Sequence, residues 1–240
     1  MKFEEIDRAY SAKKRAFCEK YGIAYETFWP VVNDWALYCG LLSLSRELVI
    51  SDLLRSTLDV PGHVAEFGSW RGANLLFMAK ILRIFDPHGQ KQVHCFEGFE
   101  GLTTFAAPDA GSVKDRGMYR GSYEELVDVI ALYYMEHEIV IHKGLVQDTL
   151  PAALAEADNL SFSLIYLDLD LYEPTKLALD LLHPRLSKGG LFVFDEWNYE
   201  TYPGETTAAR EFLEQHGDRY TMEAVRHTRT PSMALRKIAF

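Results

Sequence analysis

The chain has 240 residues, 48% of them apolar, with three cysteines and a formal charge of −10 at pH 7. That length accommodates one α/β domain, or one domain with a small cap, and supplies enough apolar side chains for a substantial core. The negative balance argues against nucleic acid or an anionic membrane as a partner. An odd number of cysteines without metal-ligand spacing points to a reducing, cytoplasmic setting, and no apolar run reaches membrane-spanning length.

Residues 1–21 read as an amphipathic, charged helix that opens on Met-Lys-Phe-Glu-Glu, without a signal-peptide apolar region. Pro30 interrupts the next segment. Helical spacing returns over Trp35–Leu44 and Glu47–Leu58, so residues 1–60 are expected to form a helical cap ahead of a sheet domain at 61–240. The cap could cover a ligand site, serve as a packing layer or seat a second copy of the chain.

A turn at Asp59-Val-Pro-Gly62 leads into the strand His63–Phe67, a glycine turn from Gly68 to Gly72, and a helix from Ala73. Strand, glycine turn and helix is how nucleotide-binding α/β sheets begin. The glycines let backbone approach a ligand, and the helix start offers free N–H groups. A dinucleotide fingerprint starting at Gly68 would need glycine where Trp70 and Ala73 stand, and the Gly-Lys-Ser/Thr of a phosphate loop is absent. Glu66 ahead of Gly-x-x-x-Gly suits a ligand with cationic groups better than one with phosphates. The plainer reading is an ordinary turn with a chance glycine pair.

After a turn at 86–90, the strand Gln92–Phe96 ends at Glu97, where an acid takes ribose hydroxyls in a doubly wound fold. Residues 98–138 are long for a crossover. They contain Gly117, Tyr119, Arg120 and Gly121, then a helix from Ser122, and read as a lid insertion or as surface loop. A third strand, Glu138–His142, is followed by Lys143-Gly144 and a turn at Asp148-Thr-Leu-Pro151. A fourth, Phe162–Leu167, ends at Asp168, and a helix opens at Glu173-Pro-Thr175. Gly189-Gly190 marks its exit, and a fifth strand, Leu191–Phe194, ends at Asp195-Glu196. A helix (Thr207–Gln215) and two closing strands (Tyr220–Val225, Met233–Ile238) complete the chain.

Ligands of open α/β sheets bind beside the C-terminal strand ends, so Asp168, Asp195 and Glu196 should converge there. Crowded carboxylates repel one another, and a hard divalent cation such as Mg²⁺ relieves that repulsion. Asp170 could support this site or face away. A calcium loop is ruled out by Tyr172 at its next ligand position. A strand ending in Asp-x-Asp also matches the metal motif of nucleotide-sugar glycosyltransferases, and Asp195-Glu196 could simply cap the loop that follows.

Taken together, Glu66-Phe-Gly-Ser-Trp-Arg-Gly72, Phe96-Glu-Gly-Phe-Glu-Gly-Leu102, Lys143-Gly-Leu-Val-Gln-Asp-Thr-Leu-Pro151, Tyr166-Leu-Asp-Leu-Asp-Leu-Tyr-Glu173, Leu186-Ser-Lys-Gly-Gly190 and Phe194-Asp-Glu196 resemble the TylF/MycF (macrocin-type) S-adenosylmethionine-dependent O-methyltransferases, over roughly residues 40–215. The resemblance implies a Rossmann-like class I methyltransferase fold, with six parallel strands and an antiparallel seventh. It assigns Glu66, Gly68, Ser69, Gly72, Glu97, Gly144, Gln147 and Asp168 to the cofactor. Of these, Glu66, Gly68 and Gly72 lie around its methionine part, Glu97 holds the ribose, and Gly144 and Gln147 lie near the adenine. It makes Asp168, Asp195 and Glu196 the Mg²⁺ ligands of an enzyme acting on a hydroxyl of a sugar or other small natural product; for such a transfer, a carboxylate, Asp168, is expected to be the catalytic base that takes the hydroxyl's proton. The chain departs from the family pattern at Glu97 and Glu196, where the family usually has Asp, and at Leu169, often Gly. Trp197 is expected to reshape the substrate pocket. Other readings are a metal-independent methyltransferase, a metal-dependent glycosyltransferase built on Asp168 and Asp170, and a cofactor-binding protein without catalysis.

Overall fold

A computed structural model describes residues 3–86, 88 and 91–240, the side chains of residues 3–7 excepted. The turn expected at 86–90 falls on residues 87, 89 and 90, outside the described residues. Seven strands form one sheet: β1 (His63–Phe67), β2 (Val93–Glu97), β3 (Ile139–Lys143), β4 (Phe162–Leu167), β5 (Leu186–Phe194), β6 (Tyr220–Ala224) and β7 (Met233–Lys237). Their order is β3-β2-β1-β4-β5-β7-β6. Pairings from β3 through β5 are parallel, and β7 runs antiparallel to both β5 and β6. This is the six-plus-one sheet that the resemblance implies. The chain reverses direction across the sheet at β1 and β4, so the ends of β1 and β4 flank the switch point where such sheets bind ligands.

The strands are buried because helices cover both faces, and every residue of β2 and β4 is buried, the polar His94, Glu97 and Ser163 included. On one face, Phe67, Phe96, Phe192 and Phe194 pack against α7 (Val146–Glu156), α8 (Tyr172–Leu182) and α9 (Pro203–His216). On the other, Val64, Cys95, Leu164 and Val193 meet α4 (Leu41–Arg55), α5 (Ala73–Phe85) and α6 (Tyr123–Leu132). The N-terminal helices α1 (Phe3–Lys20) and α2 (Tyr25–Asn33) lean on α6 through Cys18, Trp29 and Leu132, with the Tyr21 hydroxyl donating to Asp128 at 2.5 Å. Among the described residues, no helix is long and apolar enough to cross a membrane.

Three local expectations are corrected. The helix expected at Trp35–Leu44 breaks at Gly40, which takes an extended conformation and caps α4, leaving only the short α3 (Trp35–Tyr38) before it. The turn expected at Asp148–Pro151 is the middle of α7. Pro151 forfeits one backbone bond there, but Val146, Leu150, Ala153 and Leu154 bury an apolar face that outweighs it. Gly189 and Gly190 lie inside β5 rather than before it. A Cβ at Gly190 would sit 2.8 Å from the Ser163 carbonyl oxygen, so glycine lets β5 close on β4.

The 98–122 stretch folds back onto α8 and α9. Its 3-10 helix, Ala107–Asp115, is anchored by the fully buried Asp109, whose carboxylate accepts the Ala106 N–H (2.9 Å) and the Tyr172 N–H (3.1 Å). Ser112 donates to the Thr201 carbonyl at 2.5 Å.

Candidate active site

The strand tips are stitched edge to edge by backbone bonds. Gly144 N–H donates to Glu97 O, Gly68 N–H to Phe96 O, Asp168 N–H to Phe67 O and Asp195 N–H to Leu167 O, all at 2.9–3.0 Å. The tips therefore form one continuous rim. Gly68 lies at its centre with φ +83°, and a Cβ there would stand 1.9 Å from the Asp168 carbonyl oxygen, so only glycine lets these strands meet. Above the rim is a cleft of about 270 Å³. Its wall includes Gly68, Glu97, Gly144, Gln147, Asp168, Asp195 and Glu196, together with Gly101–Thr104 and Tyr119 from the folded-back stretch.

Seven of the ten residues singled out from the sequence are thus on one surface. Glu66, Ser69 and Gly72 are not on it. Glu66 is buried beneath the turn, where its carboxylate accepts Ser69 Oγ–H at 2.6 Å and Asn74 Nδ2–H at 2.7 Å. Burial pushes Glu66 up to about 7, with those two hydrogen bonds opposing. Gly72 takes the left-handed conformation that starts α5, and a Cβ there would strike Leu126 at 2.4 Å. These three residues shape the turn from below. Arg120 is also off the cleft wall, and Trp197 packs back towards Phe194 instead of lining the pocket.

Glu97 accepts the N–H of Trp70 (2.8 Å) and of Phe99 (2.6 Å), one on each carboxylate oxygen. Burial raises its pKa, and these backbone donors hold it back. The Ser69 and Gly98 backbone N–H groups also favour its charged form.

At the other end of the cleft, one carboxylate oxygen each from Asp168, Asp195 and Glu196 lies within 4.8 Å of the other two. Asp170 joins them on the wall in the left-handed conformation. Burial and the neighbouring acids push Asp168 and Asp170 well above the usual carboxylate range. Glu196 is raised to about 7 by burial and by Asp195. The donor set is hard and compact, and Glu196 Oε2 is buried without a hydrogen-bond partner. Such a set fits a hard divalent cation.

Three residues complete this corner that sequence reasoning passed over. Arg46, on α4, places Nη1 2.6 Å from Asp195 Oδ1 and Nη2 3.5 Å from Asp168 Oδ2. The buried Tyr166 hydroxyl donates to the same Asp195 oxygen. Glu205, fully buried on α9, accepts the Glu196 N–H at 2.8 Å and so fixes the loop after β5; burial holds its carboxyl well above the usual range. A tyrosine inside an apolar strand and a glutamate in a helical first turn carry no local signal, and nothing near Arg46 in sequence points to acids 149 positions away.

The sequence model of the macrocin-O-methyltransferase (TylF) family matches residues 49–230. A Streptomyces olivaceus enzyme, 8-demethyl-8-(2,3-dimethoxy-alpha-L-rhamnosyl)-tetracenomycin-C 4'-O-methyltransferase, is 31% identical over 208 residues, covering 80% of this chain and 70% of its own. Mycinamicin III 3''-O-methyltransferase of Micromonospora griseorubida is 28% identical over 171 residues, covering 66% and 63%. Among solved structures, a calicheamicin methyltransferase superposes with a TM-score of 0.77 at 26% identity, over 95% of this chain and 91% of that one.

Proposed function

The chain belongs to the macrocin-O-methyltransferase (TylF) family and is an S-adenosylmethionine-dependent O-methyltransferase, and on that premise we propose that it methylates a hydroxyl of a sugar carried by a small natural product, assisted by Mg²⁺ at Asp168, Asp195 and Glu196. The observation that carries the acceptor end of this reading is the convergence of those three carboxylates within 4.8 Å at one end of the cleft that Glu97 lines at the other. The sugar assignment draws on the rhamnosyl acceptor in the Streptomyces relative's name.

S-Adenosylmethionine brings a methyl group already activated on sulfonium, so alignment is the protein's main task. Mg²⁺ bound at the acids would lower the pKa of the acceptor hydroxyl. Glu97 would hold the ribose hydroxyls, and Gly144 and Gln147 would lie near the adenine. Leu102, Leu145, Leu169 and Leu171 give the cleft an apolar wall. Asp168 accepts the proton released by the acceptor hydroxyl.

A metal-independent transfer is the second reading, favoured by the Arg46 guanidinium already paired with Asp195 at 2.6 Å. The test is calorimetric titration with S-adenosylhomocysteine on wild type and Glu97→Ala, followed by turnover on glycosylated acceptors with and without EDTA. Binding weakened by Glu97→Ala, with turnover abolished by EDTA and restored by Mg²⁺, is the expected result. Turnover indifferent to EDTA selects the second reading, and binding indifferent to Glu97→Ala removes the ribose assignment.

A further inference from the structure

Arg46 engages two of the three acids assigned above to a cation. Its Nη1 donates to Asp195 Oδ1 at 2.6 Å and to Thr230 Oγ1 at 2.5 Å, and Nη2 stands 3.5 Å from Asp168 Oδ2. Asp195 Oδ1 also accepts the Tyr166 hydroxyl, so both lone-pair positions on that oxygen are filled by protein donors. A guanidinium cannot surrender its proton to make room, because its neighbours hold it charged. A divalent cation seated among the same carboxylates would lie beside a fixed positive charge.

We propose that Arg46 is a built-in competitor for the metal: its guanidinium neutralises Asp168 and Asp195 when no cation is bound, and must withdraw from them when one binds. The idea rests on the metal reading of these acids. The anatomy of α4 suits such a movement. Its second half is set in the core through Ile50 and Leu54, which are 2% and 0% exposed, whereas Leu41 and Leu42 at its start are 83% and 68% exposed. Arg46 lies between the anchored and the exposed parts, on a long side chain held besides the acids by the Thr230 hydroxyl and by the Tyr166 ring, 5.7 Å from the guanidinium. The guanidinium also stands 3.5 Å from Oδ2 of Asp168, the residue assigned to take the acceptor's proton, so its withdrawal would relieve both acids together.

The experiment measures Mn²⁺ affinity by calorimetry at pH 8 in the presence of S-adenosylhomocysteine, for wild type, Arg46→Met and Thr230→Val. Met preserves the length of the side chain and removes the charge; Val keeps the charge and removes one of its tethers. The expected result is Mn²⁺ binding at least tenfold tighter in Arg46→Met and a smaller gain in Thr230→Val. Thermal melts should agree, with Arg46→Met less stable than wild type in EDTA and the deficit closing when Mn²⁺ is added. Unchanged or weaker affinity in Arg46→Met overturns the proposal while leaving the metal site in place. If Arg46→Met does not fold, unchanged affinity in Thr230→Val overturns it instead. An absence of Mn²⁺ binding in all folded proteins removes the metal reading, and the competition with it.

Discussion

Asp168 and Glu66 show how burial gives two carboxylates different consequences. Asp168 reaches the cleft, so Asp168→Asn should lower kcat by about 10²-fold or more while leaving S-adenosylhomocysteine affinity near wild type. Single-turnover kinetics beside calorimetry would check this, and full activity would end its role as base. Glu66 never reaches the cleft, and its effect falls on stability. Its folded pKa of about 7 stands above the ordinary 4.5, so the folded state holds the proton more tightly. The stability it confers is complete below about pH 4.5 and is lost as pH rises through 7, a loss of about 3 kcal/mol. Glu66→Gln, which can hydrogen-bond with both Ser69 and Asn74, should flatten the urea-midpoint profile between pH 4.5 and 7 and be the more stable protein above it. A profile parallel to wild type would mean that Glu66 ionises without penalty. The location of both acids follows from strand periodicity. Their opposite exposure does not, because Glu66 is held beneath the glycine turn by Ser69 and Asn74, contacts that no periodicity shows.

The elements that sequence made legible are those whose cause is local. β1, its glycine turn and α5 follow from an apolar run, two glycines and helical spacing, and the observed strand is the expected one, His63–Phe67. The elements that differed were decided by tertiary contact. α7 absorbs Pro151 because its apolar face is buried, and β5 extends back through two glycines because β4 lies close beside it. Residues 98–138 were expected as a lid or loop, and the place of the part before Ser122 was unreadable because Asp109 secures it to Tyr172, 63 positions away. Asp109→Ala strands two backbone N–H groups and should cost about 1–3 kcal/mol. It should also speed chymotryptic cleavage near Phe105 and Tyr119. Reduced stability with unchanged cleavage would show that other contacts hold the stretch.

At the scale of the whole molecule, the cleft draws on strand ends from β1, β2, β4 and β5, so a ligand there ties half the sheet together. S-Adenosylhomocysteine at a hundred times its Kd should stabilise the fold by about 2.7 kcal/mol and raise Tm by about 5–10 °C. Differential scanning fluorimetry would check this, with a smaller rise in Glu97→Ala. The sheet order was legible from the ordered motifs, whereas the contribution of the N-terminal helices was not, since no pattern within 60 residues says what they lie against. α4 makes the point most sharply. It runs from Leu41 to Arg55, while the family match begins at residue 49, so one helix straddles that boundary and Arg46 falls on its outer side. Anyone grafting a relative's leading segment onto this sheet at the edge of that match would sever a helix and exchange the acid corner's counter-charge without touching a single acid. A joint placed at Gly40, where the chain already breaks, would keep helix and charge in the same inheritance.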